Sequence, residues 1–190
     1  MTITLSRVDP EADAAELIAF LSSNRFPFHS SAHPTRDDAS RRVERGDFSG
    51  PANEAYWIED ASVQDASAQD PSFQGSRVGL IVFEEITDDT PLIDLRIAEA
   101  HRGRGLGGAA LRLATTTVFR AHPELNRIEG NTRIDNAAMR RVFEAAGYVK
   151  EAHYREGWPV AGQPTLDAVS YAILRRDWAE GTVTPVPWET

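Results

Sequence analysis

One segment restricts what this chain can fold into more than any other: Leu95-Arg96-Ile97-Ala98-Glu99-Ala100-His101-Arg102-Gly103-Arg104-Gly105-Leu106-Gly107-Gly108. It reads as a strand running into a glycine-rich turn and then a helix. Such a turn exposes several backbone N–H groups to one anion. Glycine leaves room for a phosphate to approach the backbone, and the helix N-terminus beyond it adds free donors and a favourable dipole. Arg102 and Arg104 add positive charge at the mouth. The same glycines also suit a tight turn with no ligand, so the surrounding segments must decide.

Thr2 to Val8 alternates apolar with polar residues and reads as a strand. Asp9-Pro10 then opens a helix with Ala12, Ala15, Leu17, Ile18 and Leu21 on its apolar face. A second helix is expected from Thr35, with Asp37 and Asp38 at its positive end, to near Gly46. Two strands follow, Glu54 to Glu59 and Arg77 to Ile86, joined by a Ser-, Gln-, Asp- and Ala-rich loop from about Ala61 to Ser76 that is expected to be mobile. From Pro91 strands alternate with helices: a strand over Leu92 to Ile97, a helix from Gly105 to about Ala121, a strand from Arg127 to Thr132, a helix from Asn136 to Ala146. Tyr148 to Tyr154 and Leu166 to Leu174 form a closing pair, separated by a loop with Gly157, Pro159, Gly162 and Pro164. The expected architecture is one α/β (α+β) domain over residues 1–180, a mixed and mostly antiparallel central sheet flanked by about four helices. Residues 181–190, with Pro185 and Pro187, form an extended tail.

At 190 residues a single core buries roughly 70% of the unfolded chain's surface, so neither a metal nor disulfides are needed for stability. The chain has no cysteine, which removes disulfides, thiolate zinc sites and thiol nucleophiles together. Its longest apolar run, Val78 to Phe83, is far below the ~20 residues of a membrane span. Asp9, Glu11 and Asp13 stand where a signal peptide would be apolar, and a cytoplasmic protein is expected. With 29 acidic and 20 basic side chains, a net charge of −9, it has no general attraction for nucleic acid. No His, Asp and Glu cluster has metal-ligand spacing, so no metal is expected.

Three phosphate-binding chemistries compete for the glycine turn. A P-loop needs Lys and Ser or Thr after its last glycine; Gly107 is followed by Gly108-Ala109-Ala110, and that chemistry fails. Gly103-x-Gly105-x-x-Gly108 satisfies the dinucleotide pattern, with Glu129 near the place of a ribose-binding acid. Against it, Ala98 to Arg102 separate the strand from the turn, and convincing further parallel strands are missing. The third is the pyrophosphate of coenzyme A. Arg102-Gly103-Arg104-Gly105-Leu106-Gly107 resembles the R/Q-x-x-G-x-G/A motif of the GNAT superfamily of acyl-CoA-dependent N-acyltransferases. Arg127-Ile128-Glu129, Asp135-Asn136 and Arg140 to Tyr148 resemble that family's strand, Asn-capped helix and Gly-aromatic close. Glu151 to Arg155 and Asp167 to Leu174 resemble the final hairpin of the subgroup with the ribosomal-protein N-terminal acetyltransferases.

The resemblance implies that acetyl-CoA is the co-substrate and that an amine attacks its thioester directly. The strand before the turn and the strand of Glu129 splay, and the pantetheine arm lies between them. It implies cofactor contacts at Ile97, Ala98, Arg102, Gly103, Arg104, Gly105, Leu106 and Gly107, with backbone N–H groups near Ile97 and Ala98 facing the oxyanion. Asn136 matches a pantetheine-contacting asparagine and equally an ordinary N-cap. Glu129 and Asp94 are the candidate bases, on the strands flanking the gap. Phe26, Phe28 and His29 are expected to line the acceptor wall. The family's usual proton donors are replaced by Met139 and Phe143; Tyr148, Tyr154 and Tyr171 remain, with Tyr148 expected in the core. Residues 54–90 carry nine acidic side chains against Arg77 alone, a field suited to a cationic amine or simply a solvated acidic face. Expected partners are acetyl-CoA and an amine acceptor, a protein or peptide N-terminus before a small amine such as a polyamine, with no nucleic acid and no membrane; a homodimer stays open. The alternatives are an acyl-CoA-binding regulatory module and a dinucleotide-binding protein.

Overall fold

The computed structural model describes residues 2–62, 76–160, 162 and 164–188. Its strands are β1 (Ile3–Arg7), β2 (Glu54–Asp60), β3 (Ser76–Glu84), β4 (Leu92–Ile97), β5 (Arg127–Arg133), β6 (Val149–Trp158) and β7 (Leu166–Leu174). Its helices are α1 (Ala14–Ser23), α2 (Arg36–Glu44), α3 (Leu106–Ala121), α4 (Ala137–Ala145) and α5 (Arg175–Glu180). The strands form one sheet in the order β1-β2-β3-β4-β5-β7-β6. Among these strands only β4 and β5 run parallel; every other pairing is antiparallel.

The sheet is covered on both faces. Leu17, Phe20 and Leu21 of α1 and Ala39 of α2 pack with Trp57, Leu80 and Val82 on one face. Leu106, Ala110, Leu111, Ala114 and Val118 of α3 and Phe143 of α4 pack with Ile81, Phe83, Ile128, Val169 and Tyr171 on the other. Alternation along β3 and β4 therefore assigns each side chain to a layer: Leu80, Val82 and Glu84, with Asp94 and Arg96, belong to the α1–α2 side. Ile93, Leu95 and Ile97 belong to the α3–α4 side.

Several expected elements start or end elsewhere, for local reasons. Asp9-Pro10 opens a turn rather than the helix: the Asp9 carboxylate accepts from the N–H groups of Glu11 and Ala12 at 3.0 and 3.1 Å, and α1 begins at Ala14. Thr35 caps α2 through a capping box with Asp38, as its sequence suggests. Strand β3 stops at Glu84 because Glu85 turns into the left-handed region (φ 57°), where its N–H donates to the Asn53 side chain at 3.2 Å. Strand β6 runs on to Trp158, so Gly157 lies in the strand and not in the loop. Helix α5 has no counterpart among the sequence expectations; Arg175 at its start donates to the carbonyls of Phe119, His122 and Leu125. The 61–76 loop, from residue 63 to residue 75, lies outside the described residues.

Gly130 of β5 is required for α4 to sit where it does. A Cβ there would lie 2.4 and 2.6 Å from the Phe143 ring, which itself stacks on Tyr171 at 5.1 Å and 12°. The ring has no room to retreat. Gly130→Ala is expected to cost about 1–3 kcal/mol, the usual range for overpacking a filled core. Urea denaturation should show a lower midpoint with an unchanged m-value, and Phe143→Leu in the same chain should restore part of the loss.

Candidate active site

Parallel pairing between β4 and β5 has a single register pair, Leu92 with Glu129, and the Glu129 N–H donates to Pro91 O at 3.0 Å. Beyond that point the strands part. Ladder alternation decides which backbone groups face the opening: the Ala98 N–H donates to Val78 O at 2.9 Å, so the N–H and C=O groups of Leu95 and Ile97 turn away from β3, toward the gap. This corrects the sequence expectation for Ala98, whose donor is already engaged within the sheet.

Two cavities adjoin the gap, of about 520 and 530 Å³. The first lies over the glycine turn and the second over the α2 side of β4. Phe28, His29, Leu95, Arg96, Asn136 and Met139 line both, so the two spaces share a wall.

The first cavity has the features of an anion cradle. Gly103 and Gly105 take φ values of +75° and +78°, and a Cβ at either would meet no atom within 4 Å. The first α3 hydrogen bond is made by the Ala109 N–H to Gly105 O, which leaves the N–H groups of residues 106–108 without helical partners. His101, Arg102, Arg112 and Arg141 line the same space. Arg102 also braces the wall: its Nε donates to Ile97 O at 2.9 Å, it donates to Arg25 O, and it lies over the Phe26 ring. Arg104 does not line the cavity. Its guanidinium is 3.1 Å from His101 Nδ1 and 3.7 Å from the buried Asp60 carboxylate.

Asp94 lines the second cavity and is closely held. Arg96 reaches both of its oxygens through Nε at 3.1 Å, with a further contact from Nη2 at 2.7 Å. His29 Nε2 lies 2.9 Å away, and Arg42 3.8 Å. Burial pushes the Asp94 carboxyl up, but the Arg96 and His29 contacts outweigh it and hold it well below the usual carboxylate range. A carboxylate this acidic is a poor proton acceptor near neutral pH.

Glu129, the other candidate base, lies at the closed end of the gap and lines neither cavity. Its Oε2 accepts from Arg127 at 2.8 Å, and Arg127 also bridges to Glu151 at 2.9 Å. Asn136 is an N-cap: its side chain accepts from the Met139 N–H at 3.1 Å and donates to Thr132 Oγ1 at 2.9 Å. It also lines both cavities, with one amide hydrogen left over. Phe143 is core, and Tyr148 is buried with its hydroxyl 2.8 Å from Thr115. Among the described residues no tyrosine lines either cavity. Phe26, Phe28 and His29 do sit at the site, Phe26 on the glycine-turn side alone. Arg112, Arg141, Arg42 and Glu84 are site residues that sequence reasoning misses. Arg112 and Arg141 lie on the helix faces toward the turn, which their spacing from Gly105 and Asn136 suggests; Glu84 becomes visible only through tertiary packing.

Among the described residues no group of three or more His, Asp or Glu side chains is placed to hold a metal ion, and no helix is long and apolar enough to cross a membrane. Residues 2–149 match the acetyltransferase (GNAT) domain family. The "Putative ribosomal N-acetyltransferase YdaF" of Bacillus subtilis (strain 168) is 31% identical over 108 residues, which cover 56% of this chain and 58% of that protein. A chimera of the Vibrio cholerae spermidine N-acetyltransferase SpeG with hSSAT superposes with a TM-score of 0.74 at 18% identity, covering 94% of this chain and 99% of the chimera. The Vibrio cholerae spermidine/spermine N-acetyltransferase SpeG in complex with manganese ions gives 0.70 at 19% identity, with 94% of this chain and 96% of that one covered. At these identities the structural likeness concerns the fold. The family match spans most of the chain, and the splayed strands and glycine turn it contains are those just described: this chain belongs to the GNAT acetyltransferase family.

Proposed function

We propose that this protein is an acetyl-CoA-dependent N-acetyltransferase that moves the acetyl group to a primary amine by direct attack. The observation that carries this reading is the pair of adjoining cavities at the parting of β4 and β5, one over the open glycine turn and one over the Asp94 side of β4. The N–H groups of residues 106–108, with Arg102, Arg112 and Arg141, would hold the pyrophosphate. Ile97 and Leu95 offer backbone donors and acceptors to the pantetheine arm, with Asn136 beside them. Direct attack needs a neutral amine, donors for the oxyanion and a proton for the thiolate. The Leu95 and Ile97 N–H groups supply the second. Water supplies the third, since a thiol of pKa ~8.5 is a good leaving group near neutral pH.

A protein or peptide α-amine is the first acceptor class and a polyamine or other small amine the second. The ribosomal designation of the Bacillus subtilis relative supports the former, and the spermidine enzymes of the same fold support the latter. Residues 1–180 act as one catalytic domain in the cytoplasm, with 181–190 as a tail. The dinucleotide alternative is disfavoured by the sheet: among the described residues β4-α3-β5 is its one parallel crossover, whereas dinucleotide folds continue with further parallel strands.

Thermal unfolding with coenzyme A, NAD(H) and NADP(H) tests the cofactor. A ligand specific for the folded state adds RT ln(1 + [L]/Kd), about 2.7 kcal/mol at a hundredfold excess over Kd. Stabilisation by coenzyme A alone is expected; stabilisation by a nicotinamide cofactor alone would sink the reading. Release of free thiol from acetyl-CoA over a panel of amines then separates an enzyme from a binding module, since a module binds tightly without turnover.

Gly105→Val should weaken coenzyme A binding at least tenfold in a chain that still folds. The side chain would enter the open space of the cradle, and a β-branched residue at φ +78° is strained by roughly 1–2 kcal/mol. Titration calorimetry, with circular dichroism as the folding control, measures both. An unchanged affinity in a folded variant would show that the turn is structural.

A further inference from the structure

We propose that Glu84 receives the acceptor's ammonium group and takes its proton, a role that rests on the acetyl-transfer reading above. Of the two carboxylates lining the acceptor cavity, Asp94 is already in ion pairs and Glu84 is not. The Glu84 carboxylate makes no hydrogen bond or ion pair among the described residues, although the residue is partly buried. Carboxylates in such places ordinarily find a protein cation. An unpaired one in the wall of a cavity marks a place for a cation that the protein does not itself provide.

Its position suits the chemistry. Glu84 pairs across the sheet with Leu92, and Leu92 is the residue at which β5 joins β4 before the two part. Alternation puts Glu84 on the same side as Asp94, facing α2. The left-handed turn at Glu85 ends the strand directly after it and fixes where the side chain leaves the backbone. The charged groups facing it are Asp94 and Arg96 from β4, Arg42 from α2 and Asp47 from the segment after α2. Arg42 and Arg96 pull the Glu84 carboxyl down, but neither contacts it: Arg42 is bound to Asp47 at 2.9 Å and Arg96 to Asp94, while Arg45, which lines the same cavity, is bound to Asp47 at 2.9 Å. Burial, and then the Asp94 charge, outweigh Arg42 and Arg96 and raise the Glu84 carboxyl above its usual value, which makes it a better proton acceptor than Asp94.

The step balances without any further reagent. One ammonium N–H proton passes to a Glu84 oxygen, and the freed nitrogen pair bonds to the thioester carbonyl carbon. The C–S bond breaks with its electrons on sulfur, the now cationic nitrogen gives its second proton to water, water protonates the thiolate, and Glu84 returns its proton to solvent.

Glu84→Gln keeps the size and removes the charge. With any amine that supports thiol release, kcat should fall about 10²–10⁴-fold, with Kd for acetyl-CoA unchanged and the acid limb of the kcat/KM profile lost. Glu84→Asp should retain part of the rate. Because the folded chain holds this carboxyl above its unfolded value, stability is lost as pH rises through the folded pKa, and the Gln variant should melt no lower than wild type at pH 7.5. Calorimetry of n-butylamine, spermidine and an Ala-Ala-Ala amide in the presence of coenzyme A gives a readout independent of turnover: each amine that binds should bind at least tenfold more weakly to Glu84→Gln. Glu84-dependent amine binding without thiol release would keep the ammonium site and overturn both its base role and the acetyl-transfer reading. Wild-type kcat and pH profile in the Gln variant would overturn the base role, unchanged amine binding the ammonium site, and failure of wild type to bind any of the three amines would overturn the proposal as a whole.

Discussion

The parting of β4 from β5 is the constraint on which the rest of the molecule depends. Elsewhere neighbouring strands satisfy one another's backbone groups, and a sheet that keeps pairing offers nothing to a ligand. Here pairing starts at Leu92 and Glu129 and goes no further, although both strands continue. The Leu95 and Ile97 peptide groups are then placed at an opening, with Arg102 on the Ile97 carbonyl as a provisional partner. The parallel crossover through α3 delivers the helix N-terminus and its free N–H groups to the same end. One topological feature thus supplies a slot and an anion site in line.

Electrostatics then sorts the carboxylates at the slot. Asp94, Glu129 and Glu84 all belong to the face shared with α1 and α2, by alternation along their strands. Their neighbours differ. Asp94 lies among Arg96, His29 and Arg42, and the Arg96 and His29 contacts outweigh its desolvation. It holds the 26–29 turn against β4 and so shapes the wall common to both cavities. Glu129 joins Arg127 and Glu151 in a bridge across β5 and β6. Of the three, Glu84 alone has no ion-pair partner among the described residues.

The order and type of the elements up to β7 are legible because each carries its own local signal: Thr35 with Asp37 and Asp38 at the start of α2, the apolar faces of α1 and α3, the alternation of β1. Boundaries slipped where a side chain competes with the backbone, as Asp9 does at the start of α1. The cofactor half of the site was legible for the same reason, since a strand, turn and helix within fourteen residues build most of it. The Arg104 side chain and the Ala98 N–H point away from the turn's open space because side-chain direction and ladder phase there depend on distant partners, Asp60 and Val78. The carboxylates were harder still. Residue type and strand assignment identify Asp94 and Glu129 as acids near the gap, but whether an acid is free to act depends on which arginines fold beside it. The i, i+2 spacing of Arg127 with Glu129 and of Arg96 with Asp94 puts each pair on one strand face and is local, whereas the Arg42 and His29 contacts to Asp94 come from distant elements and have no local sequence signature.

The two halves of the site are therefore encoded differently. The cradle is contiguous, so a change to acceptor preference need not disturb it. The acceptor cavity is assembled from the turn around Phe28 and His29, the end of α2, the end of β3, the start of α4 and Trp158 at the end of β6. Substitution in any one of these elements reshapes only a part of its wall. The exception is the shared wall, where Phe28, His29, Leu95, Arg96, Asn136 and Met139 face both spaces. Arg96 is nearly buried there between Asp94 and the Phe26 ring, 4.9 Å from its centroid. Removing it would leave the Asp94 charge under-compensated and also open the partition between the cavities, so on the proposed function a change at Arg96 acts on both acceptor and cofactor affinity at once.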